Sequence, residues 1–196
     1  MAASEAGADA IGLVFYPDSP RYVDVRKASE ICAVLPPFIS VVGLFVNARR
    51  EQVEAVLREV PVDLLQFHGN EGHVECEGFG RPYVKAIGMH PGIDPAATMA
   101  EHPQACGFLL DTYQPETHGG GGVSFDWARF PEAGRRPMVL AGGLTPDNVA
   151  LAVEQTQAYA VDVSSGVEQT RGIKSVDKIQ AFMRGVERGD ASRASS

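Results

Sequence analysis

At 196 residues, 44% hydrophobic and 21% charged, the chain has the length of about one domain and enough apolar surface for a core. A net charge of −8 with no basic block excludes a polyanion-binding face, and three cysteines without C-x-x-C spacing exclude a disulfide framework or zinc ribbon. The longest apolar runs, Ile11–Tyr16 and Val41–Val46, are far shorter than the ~20 residues of a membrane helix, and the first residues lack a signal-type pattern. A cytoplasmic protein without nucleic-acid or membrane partners is expected. A small anionic ligand stays open, because backbone amides at a helix N-terminus bind phosphate without net positive charge.

Met1–Gly7, rich in Ala, reads as the last turns of a helix closed by Gly7. It leads into a strand over Ala10–Phe15. A helix over Val25–Leu35 follows, with Val25, Ala28, Ile31, Cys32 and Leu35 on one stripe and Pro36-Pro37 as its stop. Ile39–Val46 reads as the next strand, and Arg49–Val60 as a helix with Val53, Val56, Leu57 and Val60 on one face. Strands are expected at Val62–Phe67, Tyr83–Met89, Gly107–Asp111 and Met138–Ala141. Thr145 as N-cap and Pro146 at the first helical position open a helix over Pro146–Thr156. A strand over Ala160–Ser164 and a helix over Ser175–Val186 complete the series, the latter capped by Ser175 with Ile179, Phe182, Met183 and Val186 inward.

The strands are nearly continuous in apolar character, which suits a parallel sheet buried on both faces. Strict alternation of strand and helix fits either a doubly wound sheet or a (β/α)8 barrel. The helical start decides for an α/β fold of the second kind: a (β/α)8 TIM barrel lacking the first strand and the start of the first helix. One barrel domain is expected over residues 1–188, and a disordered polar tail over 189–196.

Ligands in parallel α/β folds gather at the C-terminal strand ends. Asp111 closes the strand GFLLD, where it reads equally as a general acid or as a loop-bracing carboxylate. Arg21, in YPDSPRYV after the first strand, reads as a carboxylate clamp or as a solvated surface arginine. Ala141-Gly142-Gly143-Leu144 closes one strand, and the segment Asp162, Val163, Ser164, Ser165, Gly166, Val167, Glu168 closes the next. Glycines and Ser hydroxyls on two consecutive strand ends read as a phosphate cradle. The run His118–Gly122 matches no nucleotide fingerprint and reads as a flexible loop or a lid near Asp111. The group His68, Glu71, His73, Glu75 and Cys76 lacks H-E-x-x-H spacing, so no metal is expected. Lys85, inside an apolar strand, reads as a structural partner of a carboxylate, with a Schiff-base aldolase as the alternative.

In their order, Ser4–Asp9, GLVFYPDSPRYV, VGLFVN, LLQFHG, KAIGM, FLLDT, HGGGGVSFDW, LAGGLTPDNV and VDVSSGVE with Gly172-Ile173-Lys174 closely resemble the phosphoribosylanthranilate isomerase family, from about Ser4 to Val186. The resemblance implies a (β/α)8 barrel and an aldose–ketose isomerase of tryptophan biosynthesis that performs an Amadori rearrangement, needs no cofactor and acts on a small phosphoribosyl substrate. It places the general acid at Asp111 and the anthranilate-carboxylate clamp at Arg21. It also places the phosphate at Gly142, Gly143 and Ser164–Gly166, with Asp162 in the same segment and His68 facing the site. Gly121 stands where the family more often has threonine, which loosens that loop. The family's general base is a cysteine on a first strand reading K-x-C-G-I, and no position here matches it; Cys32, Cys76 and Cys106 are not substitutes. An upstream stretch of the natural gene product is therefore expected, since two open edges would leave a barrel of this kind prone to association. A homodimer is one expected assembly. The competing expectation is a non-catalytic phosphoribosyl-ligand binding protein that kept the cradle without the base, and a third is a related phosphate-binding aldolase or epimerase.

Overall fold

The seven apolar runs become seven parallel strands, hydrogen-bonded in sequence order: β1 (Ala10–Val14), β2 (Ser40–Phe45), β3 (Leu64–Phe67), β4 (Tyr83–Gly88), β5 (Gly107–Asp111), β6 (Met138–Leu140) and β7 (Ala160–Val161). A computed structural model describes residues 1–112, 125–131 and 136–194. Helices α1 (Ala2–Glu5), α2 (Val25–Cys32), α3 (Arg50–Glu59), α4 (His73–Cys76), α5 (Pro95–Glu101), α6 (Val149–Thr156) and α7 (Val176–Ala194) occupy the connections and the two ends. The result is an incomplete (β/α)8 barrel, with β1 and β7 at the two ends of the sheet. Tyr22 meets the outer edge of β1 in a single parallel bridge to Val14.

The strand period of two separates two apolar layers. Leu13, Val41, Phe45, Leu65, Phe67, Tyr83, Ile87, Phe108, Leu110, Met138 and Leu140 point toward the helices and are buried with Val53, Val56, Val149, Val153 and Phe182. Facing the other way, Val84, Ala86, Leu109 and Ala141 form a smaller layer with Leu64 and Val139. Lys85 belongs to the helix side. Its Nζ donates to Glu71 Oε2 at 3.0 Å and to the Phe67 carbonyl at 3.3 Å, and the pair is almost fully buried. Glu71 also accepts from the amides of Asn47 and Gly69. Lys85 is thus a structural partner that ties the loop after β3 to β4, away from the interior face where a Schiff-base lysine would act.

Several boundaries differ from expectation for local reasons. The Asn148 side chain accepts from the Thr145 amide and donates to the Gly143 carbonyl, so Thr145 and Pro146 form a capped turn and α6 begins at Val149. β7 ends at Val161, although the Asp162 amide still bonds the Leu140 carbonyl, and the chain bends at Ser164 into the following 3-10 turn. The disordered tail expected over 189–196 is corrected through Ala194, since α7 continues to that residue. Gly189 explains the continuation: a Cβ there would lie 2.7 Å from Val153 Cβ and 2.8 Å from the Ala150 carbonyl, so glycine lets α7 lie close against α6. No helix among the described residues is long and apolar enough to cross a membrane.

Phe38, after Pro36-Pro37, is fully exposed at φ +71°. A left-handed conformation costs an L-residue about 1–2 kcal/mol, and glycine loses about 0.4–1 kcal/mol through its freer unfolded chain. Phe38→Gly is expected to raise the melting temperature by about 1–2 °C; a fall in a thermal melt would show that Phe38 makes a contact in solution.

Candidate active site

The register brings three strand ends to one level. Gly88 pairs with Asp111, Leu110 with Leu140, and Leu140 with Val161. Asp111, Ala141 and Asp162 therefore follow one another across neighbouring strands, with the Ala141 amide on the Leu110 carbonyl and the Asp162 amide on the Leu140 carbonyl, each at 2.8 Å. They line one cavity with Gly142, Gly143, Leu144 and the segment 163–166. Its enclosed space is about 30 Å³, far too small for a whole ligand and open to solvent at its mouth.

Asp111 is 5% exposed. Its Oδ1 accepts from the Thr112 amide at 2.7 Å, and its Oδ2 lies 3.1 Å from His68 Nε2. Gln66, two residues before His68 on the same face of β3, places Nε2 3.1 Å from His68 Nδ1. An amide N–H on Nδ1 makes that nitrogen the acceptor, so Nε2 carries the ring proton and donates to Asp111. Both oxygens of Asp111 thus face donors.

The opposite wall is backbone. Gly142 and Gly143 have φ +82° and +64°, where only glycine sits without strain. A Cβ on Gly142 would collide with the Thr112 amide and hydroxyl and come within 2.7 Å of Asp111 Oδ1; one on Gly166 would run into the Leu144 carbonyl. Ser165–Val167 form a 3-10 turn after β7, which closes the cradle with Ser164, Ser165 and Gly166. Asp162 is open to solvent, yet the protein packed around its carboxyl and the neighbouring Asp111 push its pKa upward. Solvent on the open side screens that shift.

Arg21 occupies neither of its expected settings alone. Its guanidinium is 16% exposed and held side-on by Glu168, Nε to Oε1 at 2.6 Å and Nη2 to Oε2 at 2.9 Å. Glu168 (first residue of the hairpin strand β8, Glu168–Thr170, paired antiparallel with β9, Ile173–Lys174) also accepts from Lys174 Nζ at 3.2 Å. Lys174 in turn donates to the Ser164 carbonyl at 2.7 Å. Burial pushes the Glu168 carboxyl up, but the Arg21 guanidinium, the Gly172 amide and Lys174 outweigh it and hold the pKa at about 2. This depressed value stabilises the fold above the ordinary 4.5, and the contribution is lost as pH falls through about 2. The acid-induced loss of stability between those values is expected to be smaller in Glu168→Gln, by on the order of 3 kcal/mol; parallel curves in urea melts at several pH values would contradict it.

Glu168, Lys174, Gln66 and Thr112 stand inside the runs VDVSSGVE, Gly172-Ile173-Lys174, LLQFHG and FLLDT but take no role from them, and the Glu168 contact is long-range: Arg21 and Glu168 are 147 residues apart. Gln66 alone had a signal, its two-residue spacing from His68 along a strand. The metal-like group disperses, with Glu71 on Lys85, His68 on Asp111, and Glu75 accepting from the Gly72 amide. Cys76 is buried and its thiol pushed up to about 12 by burial; Cys32 is on α2, and Cys106 enters β5 at the end away from Asp111. None of the three lines the cavity. His118–Gly122, including Gly121, lies outside the described residues.

A parallel barrel with a buried, hydrogen-bonded carboxyl group on one strand end and glycine–serine turns on the next two defines a (β/α)8-barrel enzyme with its candidate site at the C-terminal strand ends. The chain belongs to the phosphoribosylanthranilate isomerase family, whose profile, described as N-(5'phosphoribosyl)anthranilate (PRA) isomerase, matches residues 1–185. The Pseudomonas fluorescens N-(5'-phosphoribosyl)anthranilate isomerase is 55% identical over 192 residues, covering 98% of this chain and 91% of that protein. The crystal structure of the Thermotoga maritima phosphoribosyl anthranilate isomerase superposes with a TM-score of 0.82 at 38% identity, covering 95% of this chain and 91% of that one. A second solved isomerase, in complex with reduced 1-(o-carboxyphenylamino)-1-deoxyribulose 5-phosphate, gives 0.76 at 35% identity with the same coverages. The family is an aldose–ketose isomerase family of tryptophan biosynthesis, and nothing found supports the non-catalytic alternative.

Proposed function

We propose that this site takes N-(5'-phosphoribosyl)anthranilate with its phosphate on the amides of Gly142, Gly143 and the 164–166 turn, its ribose ring oxygen beside Asp111, and its aryl carboxylate toward Arg21. Asp111 gives its proton to the ring oxygen as the C1'–O bond breaks, and the anthranilate nitrogen's lone pair forms the Schiff base. Removal of the C2' proton then yields the enolamine, and its tautomer is the aminoketose product. The acceptor of that proton in the family resemblance is a cysteine without a counterpart among these 196 residues, so the chain's own residues account for the acid, the cradle and the clamp. His68 and the Thr112 amide stabilise the Asp111 carboxylate formed in the first step, and Gln66 fixes the His68 tautomer.

The observation that carries this reading is the position of Asp111: buried, braced on both oxygens, and on the wall of the cavity that Gly142, Gly143 and the 164–166 turn complete. Reduced 1-(o-carboxyphenylamino)-1-deoxyribulose 5-phosphate, bound by the solved relative, is the probe. Saturable binding that inorganic phosphate displaces is expected in a fluorescence titration. Binding that phosphate leaves untouched would overturn the placement of the cradle.

A further inference from the structure

An arginine has two edges able to grip a carboxylate with parallel hydrogen bonds: the Nε–Nη2 side and the Nη1–Nη2 end. In this protein Glu168 fills the first. Among the described residues the Arg21 guanidinium makes no other hydrogen bond, so its Nη1–Nη2 end is the edge left for a ligand. A flexible arginine loses much rotamer freedom when it clamps a ligand; one gripped from the side has already lost it.

Glu168 is itself anchored. Its side chain is 6% exposed and accepts from Lys174, which donates to the carbonyl of Ser164 on the cavity wall. Its own carbonyl accepts from Lys178 Nζ at 2.7 Å, at the start of α7. The chain of contacts runs from Arg21 through Glu168 and Lys174 to Ser164 in the turn after β7.

We infer that Glu168 is a positioning residue that holds Arg21 side-on so that its free end selects ligands bearing an aryl carboxylate. The inference rests on Arg21 being the carboxylate clamp of the proposed function. A merely structural ion pair would affect every ligand alike, whereas a positioning residue affects only ligands with the group Arg21 binds.

The test compares two probes on the full chain: the reduced product analogue, and the same compound with phenyl in place of carboxyphenyl. Glu168→Gln is expected to weaken the carboxylated probe by about tenfold to a hundredfold, the worth of a charge-assisted contact, and the phenyl probe by less than about threefold. Glu168→Asp, which keeps the charge but shortens the reach to Arg21, is expected to show the same selectivity and serves if the Gln variant does not fold. Equal losses on both probes, or none on either, would overturn the inference. Arg21→Ala is the separating control. If it does not discriminate between the probes, Arg21 is not the clamp and the proposed function is wrong at that point. If it discriminates and both Glu168 variants do not, only the inference about Glu168 falls.

Discussion

In the chain joined to a first strand carrying the family's K-x-C-G-I cysteine, Asp111→Asn is expected to lower turnover of phosphoribosylanthranilate by about 10²–10⁴-fold, the range for loss of a positioned general acid. The same variant is expected to bind the reduced product analogue within about threefold of the parent. The side chains are nearly isosteric, and the Thr112 amide that donates to Oδ1 at 2.7 Å can donate equally to the Asn oxygen. Only the proton for the ribose ring oxygen is lost. An amide cannot supply it, because its nitrogen does not deprotonate in this range. The Asn NH2 would moreover turn toward His68, whose Nε2–H is also a donor, so some loosening of the His68 ring is part of the effect. Steady-state kinetics followed by the loss of anthranilate fluorescence check the prediction. Retention of parental kcat would remove Asp111 from the acid's role.

Gly142→Ala is the second large effect, and it strikes binding and stability together. A left-handed backbone at φ +82° carries about 1–3 kcal/mol of strain for alanine. The added methyl presses on the Thr112 amide and hydroxyl and comes within 2.7 Å of Asp111 Oδ1, adding about 1–3 kcal/mol of overpacking. Together these amount to about 2–6 kcal/mol and a fall in melting temperature of roughly 5–20 °C. The hydrogen bond between Thr112 and Asp111 is displaced as well, and the backbone approach to a phosphate is blocked. Affinity for the reduced product analogue is expected to fall at least about a hundredfold. Parental affinity in Gly142→Ala would mean that the phosphate is held elsewhere.

These two residues show how much of the site was readable beforehand. Asp111, Gly142, Gly143 and Ser164–Gly166 stand at strand ends, and buried parallel strands announce themselves by apolar runs such as GFLLD and MVLA. Once the strands are placed, their C-terminal ends follow. Glu168 was not readable in this way. It closes the VDVSSGVE run, but its contact with Arg21 spans 147 positions, made by folding β8 back over the loop after β1, and no local pattern encodes that pairing. The short helices α4 and α5 escaped for another reason: α5 buries no residue and α4 buries only Cys76, so neither leaves an amphipathic stripe to detect. α6 was misplaced at its start because the Asn148 side chain, and not Thr145, organises that turn.

The central claim is that the cavity at the ends of β5, β6 and β7, linked to Arg21 through Glu168 and Lys174, is the substrate site. A crystal structure of the chain with the reduced product analogue tests it most directly. The account predicts the phosphate within about 3 Å of the amides of Gly142, Gly143 and the 164–166 turn, and the aryl carboxylate on the Nη1–Nη2 end of an Arg21 still paired with Glu168. A phosphate bound away from that cradle, or an aryl carboxylate that displaces Glu168 from Arg21, would contradict it.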